Sequence, residues 1–374
     1  MASVEKRVRS GRTAWVARWR DPSGRTLTRS FVKRSEADDY LDGIRHSLRS
    51  GAYVDPSAGR ITVGEWSQRW LAAQGHLKPS TRARYEGIVN KQVAPRWERV
   101  PLTAVRHADV AGWVAELALA PATVRYVHRV FSLLLDLAVR DGRLASNPAN
   151  GVRLPRVERA EKRFLTHQQV RDLADAAGPH ATAILTLAYC GLRWGELAAL
   201  RVSRLDLMRR RLTVAEAVTE VRGHLTWGTP KSHQHRSVPV PRFLLDDLAA
   251  LVAGRAPEDL VFVTSSGAVL RNLNFRRDVF DRAAVDAGLD GLTPHELRHT
   301  AASLAVSAGA NVKAVQRMLG HAAASMTMDV YSGLFDDDLD GVAERLDAAR
   351  AIAPVSPACH EATVLPITQS ETGS

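Results

Sequence analysis

The stretch that decides the fold of this 374-residue chain is TPHELRHT, residues 293–300. Thr293 is a good helix N-cap, the proline after it suits the first helical position, and Glu296 completes a capping box. We therefore expect a helix to begin here. His295 then lies in its first turn, and Arg298 follows one turn later on the same face. Since a helix N-terminus attracts negative charge, a histidine and an arginine at this place suit a phosphate or another oxyanion.

The same letters contain His-Glu-x-x-His, formed by His295, Glu296 and His299, which is a zinc-protease signature. Zinc chemistry of that kind needs room on the helix before the first histidine and a third ligand further on. The expected helix begins immediately before His295, and Arg298 on the same face would repel a dication. We therefore expect no metal and no cofactor.

Three further stretches combine basic residues with turn signals. The first is GLRWGEL, residues 191–197; the second contains Lys231 ahead of a basic strand with two prolines. The third is Leu-Gly-His at residues 319–321, with Tyr331 ten residues after its histidine. Each of these residues, taken singly, fits an ordinary surface or core position as well as a functional one.

Together and in this order, the four stretches resemble the tyrosine recombinase, or phage integrase, family. The resemblance has specific motifs over about residues 163–350 and covers the preceding helical block as architecture only. It implies an enzyme that cleaves and rejoins DNA through a 3′-phosphotyrosyl bond, without metal or ATP, and so integrates or excises mobile DNA. The implied catalytic set is Arg193, Lys231, His295, Arg298, His321 and Tyr331.

Each implied role has a physical reason. Arg193 and Arg298 suit the non-bridging oxygens of the phosphodiester, because a guanidinium binds two oxygens at once. His321 would donate a further hydrogen bond to the same oxygens. Glu196 is expected to support Arg193 or its backbone.

The nucleophile needs help from other groups. The free phenol of Tyr331 has a pKa near 10, so it needs a proton acceptor or a strongly cationic site. His295 is the candidate base, and the resemblance assigns protonation of the leaving 5′ oxygen to Lys231.

The composition limits the class of protein. Hydrophobic residues make up 45%, and 51 Lys and Arg against 40 Asp and Glu give a net charge of +11, which favours polyanionic partners. Only Cys190 and Cys359 are present, so a disulfide framework is not expected. The first ten residues lack a secretory apolar segment, and the most apolar stretch, residues 181–192, is too short to span a bilayer. We expect a cytoplasmic protein without a membrane partner.

We divide the chain into three domains and a tail. Residues 1–57 are predicted to form a hairpin and a helix. The first 51 residues contain 12 Lys and Arg against 6 Asp and Glu, and their net charge of +6 suits either a DNA-binding arm or a solvated basic hairpin. The resemblance to integrases implies binding to arm-type DNA sites. Residues 60–153 are predicted to be helical, opened by the capping pair Thr62 and Glu65, and the resemblance implies a core-binding, SAM-like domain. Residues 163–352 form the catalytic domain, and residues 353–374 form a disordered tail.

The fold class is therefore mainly α with small β elements: a β-hairpin-plus-helix arm, a helical domain and a mixed α+β catalytic domain. Arginines off the apolar faces could contact phosphates, although most surface arginines are simply solvated. The candidate DNA contacts of this kind are Arg18, Arg20, Arg82, Arg84, Arg125 and Arg129.

The resemblance implies double-stranded DNA attachment sites as partners. It also implies a homo-tetramer on DNA in which C-terminal helices are exchanged, with docking of each helix on its own copy as the alternative. It leaves room for an accessory DNA-bending or directionality factor. Two alternatives stay open. One is a type IB topoisomerase-like or resolvase enzyme with the same chemistry, and the other is a catalytically inactive DNA-binding regulator.

Overall fold

The computed structural model describes residues 2–9, 12–22, 24–49, 53, 58–158, 162–230, 235–320 and 347. The chain divides into two compact units. The first comprises residues 1–160 together with 220–226, and the second comprises residues 161–219 and 227–374.

The first unit begins with a three-stranded antiparallel sheet whose order is β1-β2-β3. The strands are Ser3–Arg9, Arg12–Arg20 and Thr26–Phe31, and helix α1, Arg34–Arg49, packs on one face. Alternation along β2 buries Ala17 and Trp19 against the helix and leaves Arg18 and Arg20 exposed. The hairpin and the helix were predicted from the sequence, whereas β1 was not.

Among the described residues of the same unit, five α-helices follow. They are α2 Val63–Ala72, α3 Pro79–Ile88, α4 Ala94–Trp97, α5 His107–Glu116 and α6 Pro121–Arg140. The capping box of Thr62 and Glu65 opens α2 as predicted. Helix α5 begins at His107 and not at Thr103, although threonine is a favourable N-cap residue. Residues 102–104 instead form a 3₁₀ turn, tied to the segment before α2 by the bond from the Leu102 N–H to the Ile61 carbonyl.

The core of this helical region is aromatic. Trp97, Trp113 and Phe131 are buried, with ring centroids 5.1 to 5.9 Å apart. The indole N–H of Trp66 donates to the Leu134 carbonyl at 2.9 Å, so a helix-to-helix hydrogen bond accompanies the apolar packing. Such contacts are favourable beyond the area they bury.

The second unit is mixed. Its helices are α7 His167–Ala176, α8 Ala181–Cys190, α9 Trp194–Ala198, α10 Leu245–Val252, α11 Asn272–Phe275, α12 Asp281–Asp286, α13 Pro294–Ser307 and α14 Val312–Leu319. Strands β4 Leu205–Asp206, β5 Arg211–Val214 and β8 Arg236–Pro239 form a sheet of order β4-β5-β8. Strands β6 Ala217–Val221 and β7 His224–Gly228 form a separate two-stranded sheet, of which residues 220–226 belong to the first unit.

Two local features of this unit position the site. Helix α8 packs against both α7 and α13, so the C-terminal end of α8 lies beside the helix that begins at Pro294. Helix α13 begins where its capping box predicts. The fold class, mainly helical with small sheets, is thereby confirmed. Within the described part of the chain, no helix has both the length and the apolar character that a membrane span requires.

Candidate active site

Arg193 lies in the tight connection between α8 and α9. Gly191 ends α8 in the left-handed conformation, with φ +64°, and Arg193 is the N-cap of α9. A Cβ atom on Gly191 would lie 2.8 Å from Cδ2 of Leu319 and 3.2 Å from Cβ of Ala301. Glycine is therefore needed here both for the backbone conformation and for the close approach of α13 and α14.

The carboxylate of Glu196 organises this connection. It accepts hydrogen bonds from the backbone N–H and from Nη1 of Arg193, both at 2.9 Å. It also accepts two from Arg236, Nη1 to Oε1 at 3.0 Å and Nη2 to Oε2 at 2.6 Å. Burial acts to raise the pKa of Glu196, but the bonds and charges of Arg236 and Arg193 outweigh it and hold that pKa below its ordinary value. Glu196 is therefore an anion shared by two arginines.

His295 and Arg298 lie on α13, in the first two turns. The Thr293 backbone N–H donates to Oε2 of Glu296 at 2.7 Å, which fixes the start of the helix. The side chain of His295 is on the exposed side, whereas Arg298 is only 3% exposed. The capping box thus sets the helical phase that turns Arg298 inward.

Arg298 joins two distant segments of the chain. Its Nη1 donates to the carbonyl of Gly191, and its Nη2 donates to the carbonyl of Leu319. Gly191 comes two residues before Arg193, and Leu319 comes two residues before His321. One buried guanidinium therefore holds the backbone beside both of these candidate phosphate ligands.

His299 is the histidine of the zinc-like motif that follows Arg298. Its ring centroid lies 5.2 Å from that of His295, with the planes nearly perpendicular. Burial, followed by the positive charges of His295, Lys162 and Arg298, lowers the pKa of His299 to about 4. Across the residues that the structure describes, no group of three or more His, Cys, Asp or Glu is arranged to hold a metal ion.

Comparison with known proteins agrees with this arrangement. The phage integrase family matches residues 163–337, and its N-terminal SAM-like domain matches residues 62–118. The tyrosine recombinase XerC of Proteus mirabilis is 31% identical over 242 residues, covering 62% of this chain and 73% of that protein. The chain belongs to the tyrosine recombinase family. A putative prophage phiRv2 integrase of Mycobacterium tuberculosis is 26% identical to the recombinase over 339 residues, covering 86% of this chain and 89% of the relative.

Solved structures share the recombinase's fold. The Tn1549 transposon integrase, in complex with a circular intermediate DNA, has a TM-score of 0.64 at 22% identity and covers 72% of this chain and 95% of that one. A lambda integrase dimer bound to a core site has a TM-score of 0.58 at 19% identity and covers 87% of this chain and 93% of that one. These likenesses support the α-rich architecture with small sheets.

The structure brings part of the predicted site of the recombinase together. Arg193, Glu196 and Arg298 are connected through hydrogen bonds, directly or by way of Gly191, and His295 lies on the same helix as Arg298. The predictions for Lys231, His321 and Tyr331 lie outside the described residues and remain predictions.

Arg236 belongs to this group, although the sequence analysis assigned it no role. Its buried side chain donates to Glu196 and, through Nε, to the Met318 carbonyl at 2.9 Å. One signal could have identified it. In residues 236–240, Arg236 shares the period-two face of Val238 and Val240, both of which are buried. A charged residue on an inward face requires a buried partner.

The predicted DNA-contacting arginines lie in the first unit. Arg18 and Arg20 are exposed on β2, and Arg18 lies 3.8 Å from a carboxylate oxygen of Glu5. On α3 and α6 the arginines are also exposed, and several have partners. Arg82 pairs with Glu86, Arg84 lies over the Tyr126 ring, Arg125 donates to the Pro155 carbonyl, and Arg129 lines a cavity beside Arg125.

Proposed function

We propose that the recombinase is an integrase that acts on attachment sites in double-stranded DNA through a covalent 3′-phosphotyrosyl bond to Tyr331. The observation that carries this proposal is the pair of bonds from buried Arg298 to the carbonyls of Gly191 and Leu319. They fix the backbone beside Arg193 and His321 relative to each other. A site that must bind a phosphoryl group from several directions requires this kind of preorganisation.

In the proposed cleavage step, Oη of Tyr331 attacks the phosphorus atom and the bond from phosphorus to the 5′ oxygen breaks. The phenol proton passes to His295, and the leaving 5′ oxygen takes a proton from Lys231. Arg193, Arg298 and His321 stabilise the charge that develops on the non-bridging oxygens. Rejoining reverses these steps with another 5′ hydroxyl, so the energy of the phosphodiester is retained in the phosphotyrosyl bond.

The DNA would be held by two basic surfaces of the first unit. One is the sheet face opposite α1, with Arg18 and Arg20, for which we propose arm-type sites. The other is the exposed side of α3 and α6, for which we propose core sites. Phosphate contacts by arginines on both surfaces would fix the enzyme on the duplex without reading its sequence.

For assembly we propose a tetramer on DNA in which each C-terminal segment docks on a neighbouring copy. A cavity of about 820 Å³ in the second unit is lined largely by apolar side chains, including Leu304, Val315 and Met318, with half-exposed Phe243 at its edge. Its proposed occupant is the apolar helical pattern near the end of a second copy. The residues of that pattern are Leu339, Val342, Ala343, Leu346 and Ile352. Removing residues 338–374 should then leave DNA binding by single copies but abolish the tetramer in sedimentation on DNA.

The test of the chemistry is covalent capture. Wild-type protein is mixed with a pool of nicked duplexes of random sequence, and protein–DNA adducts are isolated under denaturing conditions. We expect wild type to enrich a defined sequence and Tyr331→Phe to capture none. Capture by Tyr331→Phe would contradict the choice of nucleophile. Sequence-specific binding without any covalent adduct would indicate a DNA-binding regulator instead.

A further inference from the structure

Arg236 begins strand β8 with its charged side chain inside the second unit, only 7% exposed. Its Nη1 and Nη2 atoms donate to the two carboxylate oxygens of Glu196, and its Nε donates to the carbonyl of Met318 at 2.9 Å. A bidentate bond together with a third, divergent bond leaves a guanidinium little freedom of orientation. The side chain is therefore a rigid connection between Glu196 and the end of α14.

The end of α14 is held by two arginines. Arg236 binds the Met318 carbonyl, and Arg298 binds the next carbonyl, that of Leu319. Cations are favourable at a helix C-terminus, where carbonyls lack partners within the helix. Gly320 follows in the left-handed conformation, and a Cβ on it would lie 2.8 Å from Cδ of Arg236. The backbone that leads into His321 thus rests directly on the Arg236 side chain.

The other end of the connection is Arg193. Glu196, which accepts two hydrogen bonds from Arg236, also accepts hydrogen bonds from the backbone N–H and Nη1 of Arg193. A continuous chain of hydrogen bonds therefore runs from Arg193 through Glu196 and Arg236 to Met318. This route is separate from the one through Arg298, which passes by way of the carbonyls of Gly191 and Leu319.

We propose that Arg236 is a positioning residue for DNA cleavage, which holds the end of α14 in register with Arg193. This fixes Gly320, from which the chain continues to His321. This inference rests on the proposed function and deepens it, since it adds a residue that acts through Glu196 and α14 rather than on the DNA. A buried ion pair often adds little stability compared with apolar residues, so a role in geometry explains why a charge is kept inside.

Four variants distinguish an effect on the stability of the protein from an effect on the position of the end of α14. Arg236→Met removes the connection, and Arg236→Met/Glu196→Gln also removes the carboxylate that would otherwise be left buried without its main partner. Arg236→Lys keeps the positive charge but loses the bidentate hydrogen bond of the guanidinium to Glu196. Arg209→Met removes a charge from an 85% exposed side chain of the same unit as the matched control. The probe is the nicked duplex that wild type captures from the random pool.

We expect Arg236→Met to bind this duplex with nearly wild-type affinity but to form the covalent adduct about 10- to 100-fold more slowly at saturating DNA, because small misplacements of reacting groups have effects of this size. The double variant should recover the thermal midpoint of wild type but not its cleavage rate. Arg236→Lys should restore part of the rate, and Arg209→Met should match wild type. Recovery of the rate together with the midpoint in the double variant would mean that the pair is merely structural, and would overturn the inference.

A second readout does not depend on DNA. Amide hydrogen exchange of Gly320 should be faster in the double variant than in wild type, while exchange of Ala302 in the middle of α13 stays the same. Unchanged exchange at Gly320 would overturn the positioning role even if wild type captured DNA normally. If wild type captured no DNA, the proposed function would fail, and faster exchange at Gly320 would still support the connection.

Discussion

At the scale of single residues, the carboxylate of Glu196 is the point where two arginines of the recombinase meet. It is buried, and both partners approach within 3.0 Å. Removing such an anion leaves a buried guanidinium without its counter-charge. The cost is therefore set by burial rather than by the number of ion pairs.

We predict that Glu196→Gln lowers the free energy of unfolding by about 3 kcal/mol near neutral pH. The folded pKa of Glu196 lies below its ordinary value of 4.5, so its contribution is present above pH 4.5 and is lost as pH falls through the lower folded value. Urea unfolding at a series of pH values should give a wild-type-to-variant difference that shrinks below pH 4.5. In the control Glu216→Gln the ion pair removed is with Arg201 at the surface, so the change should stay under about 1 kcal/mol. A pH-independent difference would contradict the assignment.

The next prediction concerns His299, which is a base whereas Glu196 is an acid. Its pKa of about 4 in the folded protein lies below the ordinary 6.5, so it is neutral when folded and protonated more readily when unfolded. The folded state should therefore lose stability as pH falls from 6.5 towards 4, by about 1 kcal/mol after discounting for solvent screening of this half-exposed ring. Its ring resonance, assigned by comparison with His299→Asn, should titrate near pH 4 in NMR spectra. A midpoint near 6.5 would mean that the ring is solvated.

At the scale of elements, the turn between α8 and α9 joins a backbone requirement to a packing requirement. Gly191 has a positive φ, and a Cβ atom added to it would meet side chains of α13 and α14. Gly142, which follows α6, also has a positive φ of 66°, but an added Cβ there would meet nothing within 4 Å. An alanine at Gly142 therefore adds backbone strain alone, whereas an alanine at Gly191 adds both backbone strain and steric crowding.

We predict that Gly142→Ala costs about 1 kcal/mol of stability, from the left-handed backbone alone. Gly191→Ala should cost about 2–4 kcal/mol, because overpacking is added to the same strain. It should also slow formation of the covalent adduct, since Arg193 and Leu319 would be pushed apart. Chemical unfolding of both variants and the nicked-duplex assay measure these effects. Equal losses of stability in the two variants would show that contact with Leu319 is unimportant.

Helices and strands could be predicted from the sequence where local patterns determine them. The starts of α2, α7 and α13 follow from capping boxes, which act within four residues and are legible in the sequence. Strand β1 exists because it pairs with β2 along its whole length, from Ser3 opposite Arg18 to Arg9 opposite Arg12. The 3₁₀ turn ahead of α5 is held by a backbone bond from Leu102 to Ile61. Both of these are set by distant partners, which local patterns do not contain.

At the scale of the whole molecule, the candidate site is assembled from segments more than one hundred residues apart. Order along the chain was enough to select Arg193, His295 and Arg298, because the family resemblance supplies their roles. The bonds between them were not predictable. The contact from Arg298 to Gly191 spans 107 residues, and that from Arg236 to Met318 spans 82. The proposed role of Arg236 depends on such distant contacts, and in the sequence only its position on the inward face of residues 236–240 indicates it.

The charge distribution of the whole chain yields the last prediction. The first 51 residues carry +6 of the net +11, and the exposed Arg18 and Arg20 lie on the sheet face opposite α1. If this face binds DNA, each arginine that neutralises a phosphate releases condensed counterions. Replacing Arg18 or Arg20 by Ala should then reduce the slope of log affinity against log salt by about 0.9 for each phosphate that is no longer neutralised.

Arg45→Ala is the matched control for this measurement, because Arg45 is also exposed but lies on α1, where it pairs with Asp42. Fluorescence anisotropy titrations of a long duplex at several salt concentrations would give the slopes of wild type and of the three variants. We expect Arg45→Ala to leave the slope unchanged, whereas a reduction equal to that of Arg18→Ala would place the DNA on the helical side of the domain. If none of the three variants reduced the slope, the basic charge of the first 51 residues would be solvated. The recombinase would then hold its DNA through the remaining domains alone.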